Sequence, residues 1–178
     1  PGELHVWHAT LEIGAHFVAW SKEQCAEEER ERAARFVFER DRHHFLISRG
    51  LLRGLLARYL ECEPVQIQLR ADRYGKLHLN NPTPVPVQFN ISHSHGGWLL
   101  AVTVDRPVGV DLEWERPDLD YRSLVPSVFS THERAQLASL PPQLGRSGFF
   151  AGWSRKEARL QALSPGLSPA LASFAVAF

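Results

Sequence analysis

Three consecutive runs in the middle of the chain alternate hydrophobic and polar residues: Val87-Gln-Phe-Asn-Ile-Ser-His-Ser, Trp98-Leu-Leu-Ala-Val-Thr-Val and Val108-Gly-Val-Asp-Leu-Glu. A period of two is the signature of half-buried strands. The runs therefore predict a three-stranded meander with Val87, Phe89 and Ile91 on its core face. Residues 93–97 supply the first turn, with His93, Ser94, His95 and two glycines, and residues 105–107 supply the second. The third run closes on Asp111 and Glu113. Residues i and i+2 of a strand share a face, so both carboxylates are expected to point the same way. A strand built only for packing does not usually end like that.

Around this meander the pattern predicts further elements. Residues 4–11 and 17–20 read as strands, and residues 27–34 as a charged surface helix with Arg30, Arg32 and Arg35 among glutamates. A longer helix is expected over about 41–60, with Phe45, Leu52, Leu56 and Tyr59 at helical spacing and Arg49 and Arg53 one turn apart. Residues 65–79 form a hairpin whose tip is Arg73-Tyr74-Gly75-Lys76, and residues 80–86 a proline-rich linker. Residues 117–126 read as irregular. Ser130-Thr-His-Glu133 is a capping box that opens a helix, and Pro141 ends it. Residues 145–148 read as a break. Residues 149–163 are helical again, with an apolar stripe of Phe149, Trp153, Leu160 and Leu163. Lys156 lies on that stripe, with Glu157 and Gln161 on its flank. Residues 164–168 form a turn and 171–178 a last strand. This order predicts an α+β fold in two halves of similar content. The seam falls in or after the 93–97 turn, giving residues 1–97 and 98–178 as the N- and C-terminal halves.

Composition narrows the class. The chain has 178 residues, 44% of them hydrophobic, enough for one large or two small cores. Lys and Arg balance Asp and Glu at 20 each, so the formal net charge is +0, which argues against a nucleic-acid backbone as the main partner. The two cysteines, Cys25 and Cys62, make no disulfide framework and read as free thiols. No apolar run approaches the roughly 18 residues of a membrane helix, and no charged-then-apolar leader opens the chain. A cytoplasmic protein with no membrane partner is the expectation.

The chemistry-bearing residues admit more than one use. Asp111 and Glu113 are either two unrelated acids on a solvated strand end or oxygen ligands for a hard cation such as magnesium. Glu157 is a third carboxylate on an aromatic-lined helix. Beside it, Lys156 either snorkels or neutralises phosphate. His93 and Ser92 end a strand at a glycine-rich turn that can donate to phosphate oxygens. Neither a zinc site nor a Ser-His nucleophile has the spacing it needs. Lys76 sits at a hairpin tip, where a lysine is ordinarily solubilising. Glu133 is most simply the acid of its capping box.

Taken in order, these pieces resemble the Sfp-type 4′-phosphopantetheinyl transferases. The matching text is Tyr74-Gly-Lys76, Phe89-Asn-Ile-Ser-His-Ser94, Gly109-Val-Asp-Leu-Glu113, Phe129-Ser130 with Glu133, and Trp153-Ser-Arg-Lys-Glu-Ala158, with a weaker match at Leu51-Leu-Arg53. The resemblance implies a pseudo-dimer of two similar α+β halves, with coenzyme A bound in the cleft between them. It implies transfer of the phosphopantetheine arm to a serine of an apo acyl or peptidyl carrier protein by a monomer. It implies Mg2+, with Mn2+ as a substitute, on Asp111, Glu113 and Glu157. Glu157 or a water beside it would act as the base, and Lys156 would carry developing charge. Lys76, Ser92 and His93 would contact the coenzyme A phosphates, with Arg53 and Arg32 toward the nucleotide. The chain departs from the family at Gln161, where a lysine is usual, with Arg155 and Arg159 as candidate substitutes, and at Leu77, where proline is common. A coenzyme A or carrier binder without turnover, or a metal-dependent pyrophosphate hydrolase, would use the same residues.

Overall fold

In chain order the elements are Leu4–Thr10 (β1), Ala15–Gln24 (α1), Glu27–Ala34 (α2), Glu39–Leu60 (α3), Leu69–Ala71 (β2), Leu77–Leu79 (β3), Val87–Ser94 (β4), Gly97–Val104 (β5), Tyr121–Val128 (α4), Thr131–Ser139 (α5) and Gly145–Ala162 (α6). They come from a computed structural model that describes residues 2–83, 86–163 and 170–177. The architecture is α+β.

Strands β4 and β5 form the expected hairpin, with Ser94 opposite Gly97. The two residues between them, His95 and Gly96, have φ of 47° and 80°. Two positive φ angles define the tight turn whose twist matches paired strands, and glycine makes the second inexpensive. β1 pairs antiparallel with the other edge of β5, so the sheet order is β1-β5-β4. One face of this sheet carries Phe89, Trp98, Leu100 and Val102 against Leu46, Ile47, Leu52 and Leu56 of α3. The indole of Trp98, buried at that contact, donates to Ser48 Oγ at 3.0 Å. A second core gathers Tyr121, Val128, Phe129, Leu137, Phe149 and Phe150 from the last three helices. The 97/98 division puts β5 in the C-terminal half, whereas its side chains pack in the first core. By core membership the division falls after β5.

Several expected elements differ. Residues 17–20 lie within helix α1 rather than a strand, because the short apolar run Phe17-Val-Ala-Trp fits either period and packing against α3 decides. Residues 117–126 contain the start of α4, which accommodates Pro126 in its interior. Residues 145–148 are no break but the first turn of α6, stacked under Tyr121 and Leu140. Residues 171–173 form a 3₁₀ turn, and among the described residues the chain after it joins no sheet. The turn at 164–168 and Phe178 lie outside the described residues.

Candidate functional site

The third alternating run forms no backbone ladder among the described residues. It lies over β4 on the face away from Phe89 and is held by side chains. Asn90 Oδ1 accepts from the Val110 amide at 2.8 Å, Ser92 Oγ from Leu112 at 3.1 Å, and Ser94 Oγ from Trp114 at 3.1 Å. On its far side the run touches α6. A Cβ at Gly109 would stand 1.9 Å from Ala158 O and 2.5 Å from Ala162 N, so only glycine lets the run approach the helix backbone. Gly109→Ala is expected to destabilise the fold by about 1–3 kcal/mol or more, because the obstacles are backbone atoms of a helix. A urea midpoint shift at constant slope measures this.

This contact brings the acids together. Ser92 Oγ donates to Asp111 Oδ1 at 3.1 Å, while Asp111 Oδ2 is buried without a hydrogen-bond partner. Burial pushes the Asp111 carboxyl above its usual range, against the Ser92 hydroxyl, the Leu112 amide and Ser154 of α6, which pull the other way. The Glu113 carboxyl is also raised, first by burial and then by the charges of Asp111 and Glu157, with Arg116 opposing. Glu157 Oε1 accepts from Trp153 Nε1 at 3.3 Å. Glu113 thus feels the charge of both other acids across the junction of the run and α6. Among the described residues no three His, Cys, Asp or Glu side chains close a metal cage by themselves. The oxygen-only donor set suits a hard cation that takes its remaining ligands from substrate or water.

Lys76, on the β2–β3 hairpin, donates its ammonium to Gln161 O in the last turn of α6. A cation there complements the carbonyl end of a helix. Burial lowers the Lys76 ammonium's pKa, and Asp72 opposes this. Lys76 thus brings positive charge beside the position where the motif carries glutamine. Arg159 is committed elsewhere, to Ala175 O at 3.2 Å and over the Phe174 ring at 5.1 Å, and Arg155 is exposed.

Three expected roles change. Lys156 faces away from the acids and is 0% exposed. Its Nζ bonds Glu133 Oε2 at 2.8 Å, Leu171 O at 2.9 Å and Phe174 O at 2.5 Å. All three donors of the ammonium are used, so none is left for a phosphate. Glu133 is the acid of the capping box, bonded to the Ser130 amide and hydroxyl at 2.8 Å, and its second oxygen accepts from the Val176 amide at 2.8 Å. Arg53, 3% exposed, is likewise structural. It bonds Glu29 Oε2 at 2.5 Å, Pro64 O at 3.0 Å and Ile67 O at 2.7 Å. Ser92 Oγ gives its hydroxyl proton to Asp111 in this structure and so serves that carboxylate. His93 and Arg32 remain exposed. His93 lies near His44 of α3, and Arg32 lies 5.2 Å over the Phe45 ring. Asn90, Ser94, Trp153 and Ser154 carry no site role in the sequence reading, although the alternation of Asn90, Ser92 and Ser94 on one face of a strand was there to be seen.

Residues 15–105 match the family model of the 4′-phosphopantetheinyl transferase N-terminal region, and residues 107–178 that of the 4′-phosphopantetheinyl transferase superfamily. The chain is 35% identical over 167 residues to the 4′-phosphopantetheinyl transferase HetI of Nostoc, covering 93% of this chain and 70% of that one. It is 35% identical over 155 residues to a phosphopantetheinyl transferase of Thraustochytrium, covering 79% and 53% of the two chains. It is 32% identical over 149 residues to the 4′-phosphopantetheinyl transferase ffp of Bacillus subtilis, covering 84% and 64%. The chain thus spans only about half to two thirds of the last two relatives. A crystal structure of a holo-(acyl-carrier-protein) synthase from Bacillus anthracis, in complex with CoA (3′,5′-ADP), overlays 57% of this chain and 93% of its own at a TM-score of 0.47 and 21% identity. The two matched regions meet at residues 105–107, just ahead of the run that carries Asp111 and Glu113, and the chain belongs to the 4′-phosphopantetheinyl transferase superfamily.

Proposed function

We propose that this chain, acting as a monomer, transfers the 4′-phosphopantetheine arm of coenzyme A to a serine hydroxyl of an apo acyl or peptidyl carrier protein and releases adenosine 3′,5′-bisphosphate. The observation that carries this reading is the Asp111 carboxylate, with one oxygen buried and unpartnered beside Glu113 and Glu157. Such an oxygen calls for a cation. Asp111, Glu113 and Glu157 would hold Mg2+ or Mn2+, which when bound neutralises and polarises the pyrophosphate. Glu157, oriented through Trp153 Nε1, accepts the proton of the attacking serine. The serine oxygen forms a bond to phosphorus as the bond to the bisphosphate oxygen breaks, and the electron pair leaves with the bisphosphate. Lys76 supplies charge beside Gln161, and the exposed Arg32 and His93 face the nucleotide end. Positioning and charge neutralisation are what phosphoryl-type transfer chiefly needs.

Intact-mass analysis of an apo carrier protein, incubated with this chain, coenzyme A and Mg2+ beside an EDTA control, tests the reading. The expected result is a gain of one phosphopantetheine arm, lost with EDTA. Coenzyme A breakdown without a carrier would instead establish a hydrolase. Bound coenzyme A with no gain on several carriers would establish a binder without turnover. Lys76→Ala is expected to raise the coenzyme A KM about tenfold, the worth of one charge-assisted hydrogen bond, as read from steady-state kinetics. An unchanged KM would remove Lys76 from the site.

A further inference from the structure

We infer that Asn90, Ser92 and Ser94 form a positioning ladder whose purpose is to present Asp111 and Glu113 toward α6. The inference deepens the proposed function and rests on it for its kinetic readout. Consecutive even-numbered amides, those of Val110, Leu112 and Trp114, each donate to one rung at 2.8–3.1 Å. Among the described residues the run has no backbone ladder of its own, so these rungs decide its register. Packing of the same even-numbered residues fixes the same register. Leu112 lies against Gly97, where a Cβ would stand 2.8 Å from Leu112 Cδ2, and the Trp114 neighbourhood is closed by its ring stacked on His95, 4.0 Å between centroids at 13°. With the even residues held over the hairpin, the odd-numbered Asp111 and Glu113 turn toward the helix that carries Ser154 and Glu157. A slip of one residue would exchange acids for Leu112 and Trp114.

Ser92 adds what a purely structural clamp does not need. It accepts from the Leu112 amide and donates to Asp111 Oδ1, both at 3.1 Å. A hydroxyl has one proton, so its orientation is settled by these two bonds. Holding Oδ1 leaves Oδ2, the unpartnered oxygen, as the one presented. Groups that orient a cation's ligands in this way typically change metal affinity by about 10–100-fold when removed.

The test compares Ser92→Ala and Ser92→Thr with the parent chain in three measurements. These are Mn2+ affinity by calorimetry, hydrogen exchange of the Leu112 amide by NMR, and kcat with the coenzyme A KM. Ser92→Ala is expected to weaken Mn2+ binding about tenfold or more, to speed Leu112 exchange, and to lower kcat about tenfold with KM within about twofold. Ser92→Thr keeps the hydroxyl and is expected to recover most of each loss. Unchanged Mn2+ affinity in Ser92→Ala, a Ser92→Thr no better than Ser92→Ala, or a parent chain that binds no Mn2+ overturns the inference. If Ser92→Ala does not fold, Ser94→Ala tests the ladder through Trp114 exchange and Mn2+ affinity, with the same outcomes deciding. The Mn2+ and exchange measurements need no carrier protein, so failure of the transferase reading shows separately, in kcat alone.

Discussion

Asp111→Asn is expected to lower carrier loading by about a hundredfold to a thousandfold while the melting temperature stays at or above that of the parent. The activity loss has the size seen when one preorganised electrostatic group is removed from a reaction centre. The stability result follows from the sign of the pKa shift. The Asp111 carboxyl is raised above its ordinary value of 3.8, chiefly by burial. A raised carboxyl gives stability that is present below the unfolded value and lost as pH rises through the folded one. At neutral pH without metal, the ionised group is therefore a standing burden on the fold. Asparagine keeps the shape and an oxygen for Ser92 while removing the charge. Mass analysis of the carrier and thermal melting in EDTA check the two halves of the prediction. Full loading by Asp111→Asn would sink the metal reading. A large fall in melting temperature would show that the charge is structural.

Lys156→Ala is expected to act through the opposite channel. Breaking a buried ion pair from one side leaves a carboxylate without compensation and typically costs about 3–5 kcal/mol. Here Glu133 and Lys156 are both 0% exposed, and the same ammonium bonds Leu171 O and Phe174 O. For a domain of this size the melting temperature should fall by roughly 10 °C or more. Pairing Lys156→Met with Glu133→Leu should recover much of that loss, since neither charge is then stranded. The pH dependence carries a second signature. Burial alone would raise the Glu133 carboxyl, but Lys156, the Val176 amide and Ser130 hold it below its ordinary value of 4.5. Its stabilisation is therefore present above that value and lost as pH falls through the lowered one. Without Lys156 the main opposing group is gone and burial acts with less restraint. The deficit of Lys156→Ala should then shrink on acidification. Melting curves across the acid range measure this, and a deficit that does not vary with pH would count against the ion pair as the cause.

The adjacent pair Lys156-Glu157 shows where sequence reasoning is sound and where it stops. Neighbours on a helix point about 100° apart, so they face different surroundings. The apolar stripe through Phe149 and Trp153 placed Lys156 on the core side, and it is indeed buried with Phe149 and Phe150. The same residue type beside a motif acid suggested phosphate chemistry, and local pattern could not choose between them. The partner that decides is Glu133 on α5, which no spacing within α6 can reveal. Arg53 is a parallel case. The family resemblance set it toward the nucleotide, but Glu29 and the carbonyls of Pro64 and Ile67 enclose it.

By itself the sequence determined the period-two runs that became β4 and β5, the long helix α3, the Ser130–Glu133 cap of α5, and the motif order that marks the family. These are local signals, carried by neighbours a few positions apart. Tertiary structure alone decided that residues 17–20 are helical, that the Asp111 run is held by side chains, and that Lys156 bolts the core while Lys76 meets the last turn of α6. Each of those outcomes depends on a partner distant in sequence, and burial makes that partner's identity decisive. A charge or an amide withdrawn from water must be met by whatever group the fold sets opposite it.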